Sequence, residues 1–285
     1  MHRTIAKLLS AVLLSGLILS VAFGQGDKLR YQLAKGSTYK YTITADTKAK
    51  NQVNGQDMSS TSWSLFGMSF AVEDVDKAGD LTCVVKIDTN LMKIDSPMLK
   101  DTSRVMKEIN GKRARMIVSP LGKTLKTEVI DAIPAGGAMQ MAGMISPTDI
   151  ARQLFVELPE QEMGVGGTWT LTRPDTTSRQ GMKIISKPKV QYKVVGNETI
   201  LGHDCLKISF DGASSVYGTG SRGEMEMVID GTNKMKGTLY FDAKAGLIVS
   251  VQQSTTSEST ISGTGEQMFS MTQSSSTSSK VALVK

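Results

Sequence analysis

Two residue pairs in this sequence have the types and spacing that catalysis could use. His203 and Cys205 lie two positions apart in a strand-like segment, so both side chains project from one strand face and could form a nucleophile–base pair. Glu224 and Glu226 are spaced in the same way and could act as a carboxylate pair. No Asn or Asp stands at a position in the sequence that is recognisable as orienting His203. The two glutamates are explained more simply as the solvent-exposed face of a strand whose other face carries Met227. The prediction is therefore a non-enzymatic protein, with a hydrolase as the minor alternative.

Motifs for nucleotides and metal ions fail at named positions. Gly122-Lys123-Thr124 resembles the end of a phosphate-binding loop, but position 117 is Ile where that motif needs Gly. Residues 74–79 begin like a calcium loop, but Ala78 replaces an oxygen ligand and Val85 stands where the bidentate Glu belongs. The sequence therefore predicts no metal site and no cofactor.

The two cysteines, Cys83 and Cys205, could form a disulfide in an oxidising compartment, closing a loop of roughly 120 residues. Their strand phases differ, however. Cys83 shares an apolar face with Leu81 and Val85, whereas Cys205 alternates with polar residues such as Lys207. If the alternation holds, Cys83 faces a core and Cys205 a polar surface, and the sequence leaves the pairing open.

The first 24 residues have the pattern of a cleavable signal peptide. Arg3 and Lys7 precede an apolar stretch of about fourteen residues, which is short for a membrane span, and small residues end the segment at Gly24. An uncleaved anchor is the alternative. The first cysteine is Cys83, so no lipid-modified cysteine is expected at the cleavage site. The mature protein is predicted to be exported to the periplasm or the cell exterior, without a transmembrane anchor.

Composition disfavours a nucleic-acid partner. The net charge is +6 and aromatic residues make up 5% of the chain. Because the lysines are spread along the chain, no basic stripe with interleaved aromatic residues emerges.

Period-two apolar patterns dominate the rest of the chain and predict antiparallel meanders. In the first third, strands are predicted at residues 38–47, 62–75 and 81–88, with turns at 51–56 and 76–80. In the last third, they are predicted at 190–200, 205–211, 224–230, 236–241 and 247–253, with a turn at 242–246. The Ser/Thr-rich residues 254–279 are interpreted as two long polar strands joined at 263–266, with disorder as the alternative.

The middle of the chain, residues 136–164, is predicted to be helical and to join the two halves. Ser146-Pro147-Thr148-Asp149 has a cap residue, a proline and an acid in the order that begins a helix, which we predict over 147–157. A methionine-rich segment precedes it. We predict that the two segments line a site for an apolar ligand or lipid, formed by Met139, Met141, Met144, Ile145, Leu154 and Phe155. The alternative is that they fill the core of the sheet.

Four short segments resemble a family of exported bacterial proteins of unknown function. They are residues 29–41 (LRYQLAKGSTYKY), 158–169 (LPE…VGGTW), 200–208 (ILGHDCLKI) and 240–250 (YFDAKAGLIVS). The last is also similar to the periplasmic lipoprotein carriers, and this resemblance implies a curved antiparallel sheet that holds acyl chains against helices. The motifs describe turns and packing, so no active-site residue is carried over.

The sequence thus predicts a mainly β (α+β) protein, with residues 25–285 as one exported domain and possible halves at 25–135 and 165–285. The predicted fold is a curved antiparallel sheet or half-barrel, closed on one side by a short helix and the methionine-rich segment. The predicted function is non-enzymatic binding of an apolar molecule or lipid. The main alternative is an envelope interaction or structural protein that uses its Ser/Thr-rich strands, which could pair with another chain.

Overall fold

The computed structural model describes residues 26–53, 55–97, 99–132, 147–179, 182–222, 225–264 and 268–284. The signal-peptide prediction and the methionine-rich residues 136–144 lie outside these ranges. The first half contains β1 (Asp27–Lys28), β2 (Thr38–Val53), β3 (Gln56–Val75), β4 (Leu81–Ser96), β5 (Leu99–Arg104), β6 (Arg113–Val118) and β7 (Thr124–Val129).

The second half begins with α1 (Pro147–Ala151), which continues into a 3-10 turn over Arg152–Leu154. Three short strands follow: β8 (Glu162–Met163), β9 (Thr168–Leu171) and β10 (Asp175–Arg179). Five long ones complete the chain: β11 (Met182–Ile200), β12 (His203–Arg222), β13 (Met225–Asp242), β14 (Leu247–Thr264) and β15 (Phe269–Leu283).

Within the described ranges, thirteen of these strands form a single antiparallel sheet. Its main path runs β10-β11-β12-β13-β14-β15-β2-β3-β4-β6-β7, while β5 also pairs with β4 and β9 with β11. The sheet is open, since its two ends do not pair with each other. β15 pairs with β2 from Leu283 opposite Tyr41 to Met271 opposite Val53, so the last strand joins the two halves of the chain. β1 and β8 form a separate two-stranded pair.

The mainly β, antiparallel prediction is confirmed, as are the turns at 76–80 and 242–246. Gly79 and Gly246 have φ of +85° and +65° there, a backbone conformation that glycine adopts without strain. The long strands extend well beyond their predicted ends. The separate strands predicted at 224–230 and 236–241 are one continuous strand, β13, so that detail was wrong. Residues 254–264 belong to β14 and residues 269–279 to β15, as the two-strand interpretation predicted.

The predicted helix over 147–157 is much shorter in the structure. It begins at Pro147 as its cap pattern indicates, but helical geometry ends at Leu154. Phe155 is already extended, with φ −127° and ψ 115°. This backbone turn allows the Phe155 ring to pack against Tyr31 and Phe70, at centroid distances of 5.1 and 5.5 Å. Tertiary packing therefore overrides the helical pattern.

The core lies at one end of the long strands, which we call the base. There the face bearing Tyr41, Phe70, Val85 and Leu239 is buried. The cover is formed by apolar residues of two segments, 29–33 and 150–158, with Leu29, Tyr31, Leu33, Ile150, Leu154, Phe155 and Leu158 all buried. The hydroxyl of Tyr31 accepts the N–H of Val156 at 2.8 Å and so connects the two covering segments.

Gly122 makes the closest approach between the sheet and its cover. Its φ is +81°, and a Cβ built on it would lie 2.3 Å from the carbonyl oxygen of Val156. Gly122→Ala should therefore lower the free energy of unfolding by about 3 kcal/mol, through strain plus a clash with backbone. Gly111 is the matched control, because its φ is +77° but nothing lies within 4 Å of its Cβ position. Gly111→Ala should cost only about 1 kcal/mol. Urea unfolding measures both, and equal losses would contradict the close-packed cover.

Candidate functional site

The predicted ligand-lining residues divide into two groups. Met139, Met141, Met144 and Ile145 lie outside the described residues. Leu154 and Phe155 are 3% and 9% exposed and belong to the central core. Leu154 and Phe155 therefore fill the core at the base of the sheet, which was the alternative to a ligand-lining role. The more open surface lies farther along the strands.

The His203–Cys205 pair is brought together, but not in a way that activates the thiol. Nδ1 of His203 lies 2.8 Å from Oδ2 of Asp242, whereas the Cys205 thiol donates weakly to the carbonyl oxygen of His203 at 3.5 Å. Burial, followed by the charge of Asp242, raises the pKa of Cys205 to about 11. A nucleophilic cysteine needs a lowered pKa. The arrangement therefore keeps Cys205 protonated at neutral pH.

Asp242 holds the turn at the base together. Burial acts to raise the pKa of this carboxyl, but the N–H of Ala245 and the ring of His203 outweigh it and hold the pKa below its usual value. The N–H of Ala245 reaches Oδ1 at 2.8 Å, while His203 contacts the other oxygen. Asp242 thus serves as a turn cap. Of the glutamate pair, Glu226 is exposed and Glu224 lies outside the described residues.

Both cysteines are free and buried. Cys205 takes the strand face of Lys207, as its phase predicted, yet it is only 2% exposed, so the expected polar-surface position was wrong. The reason is that β12 begins opposite Phe241 and the Asp242 turn, where Asp242 is close enough to act on the thiol. Cys83 is fully buried on β4, and β13, β14, β15, β2 and β3 separate it from β12 in the sheet order.

Buried thiols with raised pKa values should be unreactive in the folded protein. Burial, followed by the charge of Glu73, raises the pKa of Cys83 to about 12, and Cys205 lies at about 11. At pH 8 the folded protein should react negligibly with a disulfide reagent, and the unfolded protein should release both thiols. Rapid labelling of one thiol in the folded state would show that its strand opens. Absence of both thiols after unfolding would show that they are paired.

Along the long strands, side chains alternate between two faces. We call the face that continues the buried core the inner face, and the opposite one the outer face. The register fixes the assignment. On β2, Tyr41 and Ile43 are buried, so Thr47 and Ala49 share the inner face, whereas Lys48 lies on the outer face. The other long strands are aligned in the same way by their pairing.

In the central strands beyond the base, charged residues lie on the outer face. On β2, β3, β4, β11 and β13–β15, no described inner-face position beyond the core holds a charged residue, from Ala45 on β2 to Ser279 on β15. At the margins of the sheet, pairing does give inner-face positions to charged residues: Arg222 at the end of β12, Asp175 on β10 and Arg104 on β5. The outer face of the central strands has lysines and carboxylates, including Lys48, Lys93 and Asp230. An exposed single-layer sheet needs no such separation, so the inner face of these strands is distinguished as an uncharged surface of small, polar and scattered apolar side chains.

The inner face carries methionines on several strands. Met58, Met92, Met182, Met227, Met235 and Met271 all take inner-face positions, and the outer face of the same described stretches has none. Sequence reasoning missed them because it sought methionines clustered in the chain. The sequence signal that could have located them is the spacing of the methionines, most of which lie an even number of positions from buried residues of their own strands. Flexible thioethers suit a surface that adapts to its ligand.

An apolar row crosses the inner face near the far ends of the strands. Pairing places Ile184, Gly218, Ile229, Ile261 and Met271 side by side on five neighbouring strands. We call this set the tip row. Its four side chains are partly buried, although no second layer of described residues covers them.

A band of small and hydroxyl residues separates the tip row from the core. Several of its hydroxyl groups satisfy each other, as in the 3.0 Å contact between the Oγ1 atoms of Thr47 and Thr277 and the 2.7 Å contact between the Oγ atoms of Ser186 and Ser214. Hydroxyls that are already paired can be covered by an apolar molecule at a reduced desolvation cost. These paired hydroxyls are therefore compatible with an apolar cover, whereas amide side chains such as Asn51, whose buried Oδ1 has no partner among the described residues, are polar points within the band.

The Ser/Thr-rich hairpin lies in the middle of the sheet. β14 is paired by β13 on one side and β15 on the other, and β15 is paired by β14 and β2. Both strands therefore offer faces and not free edges. Among the described residues, no group of His, Cys, Asp or Glu is arranged to hold a metal ion, and no helix has the length and hydropathy to cross a membrane.

Comparison with known proteins gives no family for this chain. No family model and no curated protein matches it. Among solved structures it is similar to lipovitellin, from a study of lipid–protein interactions, with a TM-score of 0.46 and 13% identity. That match covers 89% of this chain and 25% of the other, so the chain spans about a quarter of the lipovitellin chain.

A second similar structure is OpdQ of Pseudomonas aeruginosa, with a TM-score of 0.27, 7% identity and coverage of 87% and 100%. Similarity at this level carries no function over to the chain. Neither structure is a lipoprotein carrier, and the resemblance to that family stays a prediction.

Proposed function

We propose that this chain is an exported, non-enzymatic protein that binds an apolar ligand, such as a lipid acyl chain, along the inner face of its sheet. The observation that carries the proposal is the separation of charge on the central strands β2, β3, β4 and β13–β15, with lysines and carboxylates on their outer face and none at their described inner-face positions beyond the core. Export rests on the signal-peptide pattern of the first 24 residues.

The inner face has three properties that favour an extended apolar ligand. It is continuous with the buried core at the base, it includes the apolar tip row near the far ends of the strands, and the band between them has hydroxyls that pair with each other. The methionines on several strands would let the surface adjust to chains of different shape. A ligand lying across the strands would cover side chains that are now half-buried.

The test is a matched pair of substitutions at neighbouring positions of β13. Ile229 faces inward in the tip row, and Val228 faces outward on the same strand; both are partly exposed. Ile229→Lys places an unpaired ammonium group under the ligand and should weaken binding of a fluorescent fatty-acid probe by about tenfold or more. Val228→Lys adds the same charge to the outer face and should leave the affinity unchanged.

Native mass spectrometry after mild purification supplies the second readout. A bound mass that is lost in Ile229→Lys and retained in Val228→Lys supports the proposal. A protein that carries no ligand and ignores the probe overturns it, and so does equal loss of binding in the two variants.

A further inference from the structure

A cluster of five lysines lies on the outer face of β11 and β13. We call it the basic patch, formed by Lys183, Lys187, Lys189, Lys234 and Lys236. Pairing places Lys189 opposite Ala213, and Ala213 opposite Lys234, so two lysines flank a small residue across three strands, roughly 10 Å apart. Lys187 is two residues before Lys189 on the same face of β11 and lies opposite Ser215.

The positive charge of the basic patch is not neutralised within the described chain. All five lysines are exposed, and none is within ion-pair distance of a described carboxylate. Asp211 and Asp230 lie on the same face, so the region keeps an excess of positive charge. Ammonium groups spaced by about a Debye length or less reinforce each other's potential.

Protection of an exposed sheet edge explains only part of this cluster. Lys187 and Lys189 flank Pro188 where β11 runs between its short partners β10 and β9, and lysine with proline is a common defence against edge pairing. Lys234 and Lys236 belong to β13, which is paired on both sides. An interior strand needs no edge protection. Lys236 lies opposite Asp211 in the ladder, whereas Lys234 lies opposite Ala213 and Thr256. Lys234, together with Lys187 and Lys189, therefore points to a partner.

We infer that the basic patch docks the protein on an anionic lipid bilayer. The ladder between β12 and β13 has no bulge, so the lysines are presented on a regular sheet surface that suits an extended planar partner. Tyr217, 49% exposed, lies directly opposite Ile185 on the same face, next to the lysines. Lysine beside an exposed aromatic and an aliphatic side chain is the combination that enters the lipid headgroup region.

The test compares sedimentation with phosphatidylcholine vesicles and with vesicles that also contain phosphatidylglycerol. The unmodified protein should bind the anionic vesicles, and more weakly as salt is raised. Each lysine near an anionic bilayer contributes about fivefold to binding, so changing Lys187, Lys189 and Lys234 to Gln together should weaken it by on the order of 100-fold. The control changes Lys77, Lys123 and Lys244 to Gln, which removes equal charge from exposed turns at the base.

Loss of vesicle binding in the patch variant and its retention in the control support the inference. Equal losses would show an effect of net charge alone and overturn it. Vesicle binding that does not depend on salt would also overturn it. Binding to heparin or DNA without binding to anionic vesicles would overturn it as well, because the patch would then recognise a polyanionic polymer. Tyr217→Ser keeps every charge and should still weaken vesicle binding severalfold. Ile229→Lys, on the inner face, should not weaken it, so failure here and failure of the proposed function are distinguishable.

Discussion

Replacing Phe155 by alanine is expected to lower the free energy of unfolding by about 3–5 kcal/mol. The ring is 9% exposed and packs edge-on against Tyr31 and Phe70, so its removal leaves a cavity where the covering segments meet the sheet. Because Tyr31 also packs against Phe241 at 5.5 Å, the loss extends to the far side of the cluster. Urea unfolding followed by circular dichroism measures the effect.

The control for this prediction is Phe269→Ala. Phe269 is also a phenylalanine but lies only partly buried at the start of β15, near the far ends of the strands. Its removal should cost about 1 kcal/mol or less. If Phe155→Ala lowered the free energy of unfolding no more than Phe269→Ala, Phe155 would not be filling the core. Such a result would support the predicted ligand-lining role of Phe155.

The sequence predicts the base of this fold better than its far end. Turn signals locate the hairpins correctly, because Gly79 and Gly246 occupy positions where φ must be positive. Apolar alternation locates the strands near the core, because there one face is buried and the other exposed. Both signals depend on local chemistry that a single sequence contains.

Strand ends were predicted too short because the far part of the sheet has no buried apolar face. Residues 44–53 of β2 are mostly polar on both faces, so apolar alternation stops while the strand continues. What persists is an alternation of charge, with Lys48 and Lys50 on one face and Ala49 and Asn51 on the other. In this part of the sheet, the sequence signal of a strand is therefore the alternation of charged residues with small uncharged ones.

The sequence prediction of a ligand site did not include the inner face for a related reason. That prediction relied on methionines adjacent in the chain, whereas an inner face is assembled from residues on eight strands that only the register brings together. Ile229 and Ile261 are directly opposite each other in the sheet but 32 positions apart in the chain. No single segment looks apolar, and the uncharged face emerges only when the strands are aligned. Pairing order is a non-local property, which one sequence does not display.

The two faces support proposals that are physically compatible. An apolar ligand on the inner face would have to enter from a bilayer or another apolar source, and a cationic outer face on the same strands would bring the sheet to such a surface. The proposals rest on different residues, Ile229 for the inner face and Lys189 and Lys234 for the outer face. Each can therefore fail without the other.

Breaking the backbone pairing of β15 is expected to uncouple the two halves of the molecule. This strand is the sole link between β14 and β2 in the described sheet order, and Ser275 sits at its centre, opposite Ser257 on one side and Ala49 on the other. Both edges of the strand are paired, so proline at this position removes a ladder hydrogen bond and leaves the partner carbonyl without its donor. Ser275→Pro should cost at least about 3 kcal/mol. Ser275→Ala keeps the N–H and should cost little.

The chain's two tryptophans provide a probe on each side of this link, Trp63 on β3 and Trp169 on β9. In variants with Trp63 or Trp169 alone, the other being replaced by Phe, urea unfolding should give one shared midpoint when Ser275 is intact, as expected of a cooperative sheet. With Ser275→Pro the two midpoints should separate, because each meander then unfolds with its own stability. Removing residues 265–285 should have a stronger effect, since it leaves the long edges of β14 and β2 bare and prone to aggregation. Coincident, unshifted midpoints in Ser275→Pro would contradict a structural role for β15 and would favour the Ser/Thr-rich hairpin as a dispensable interaction surface.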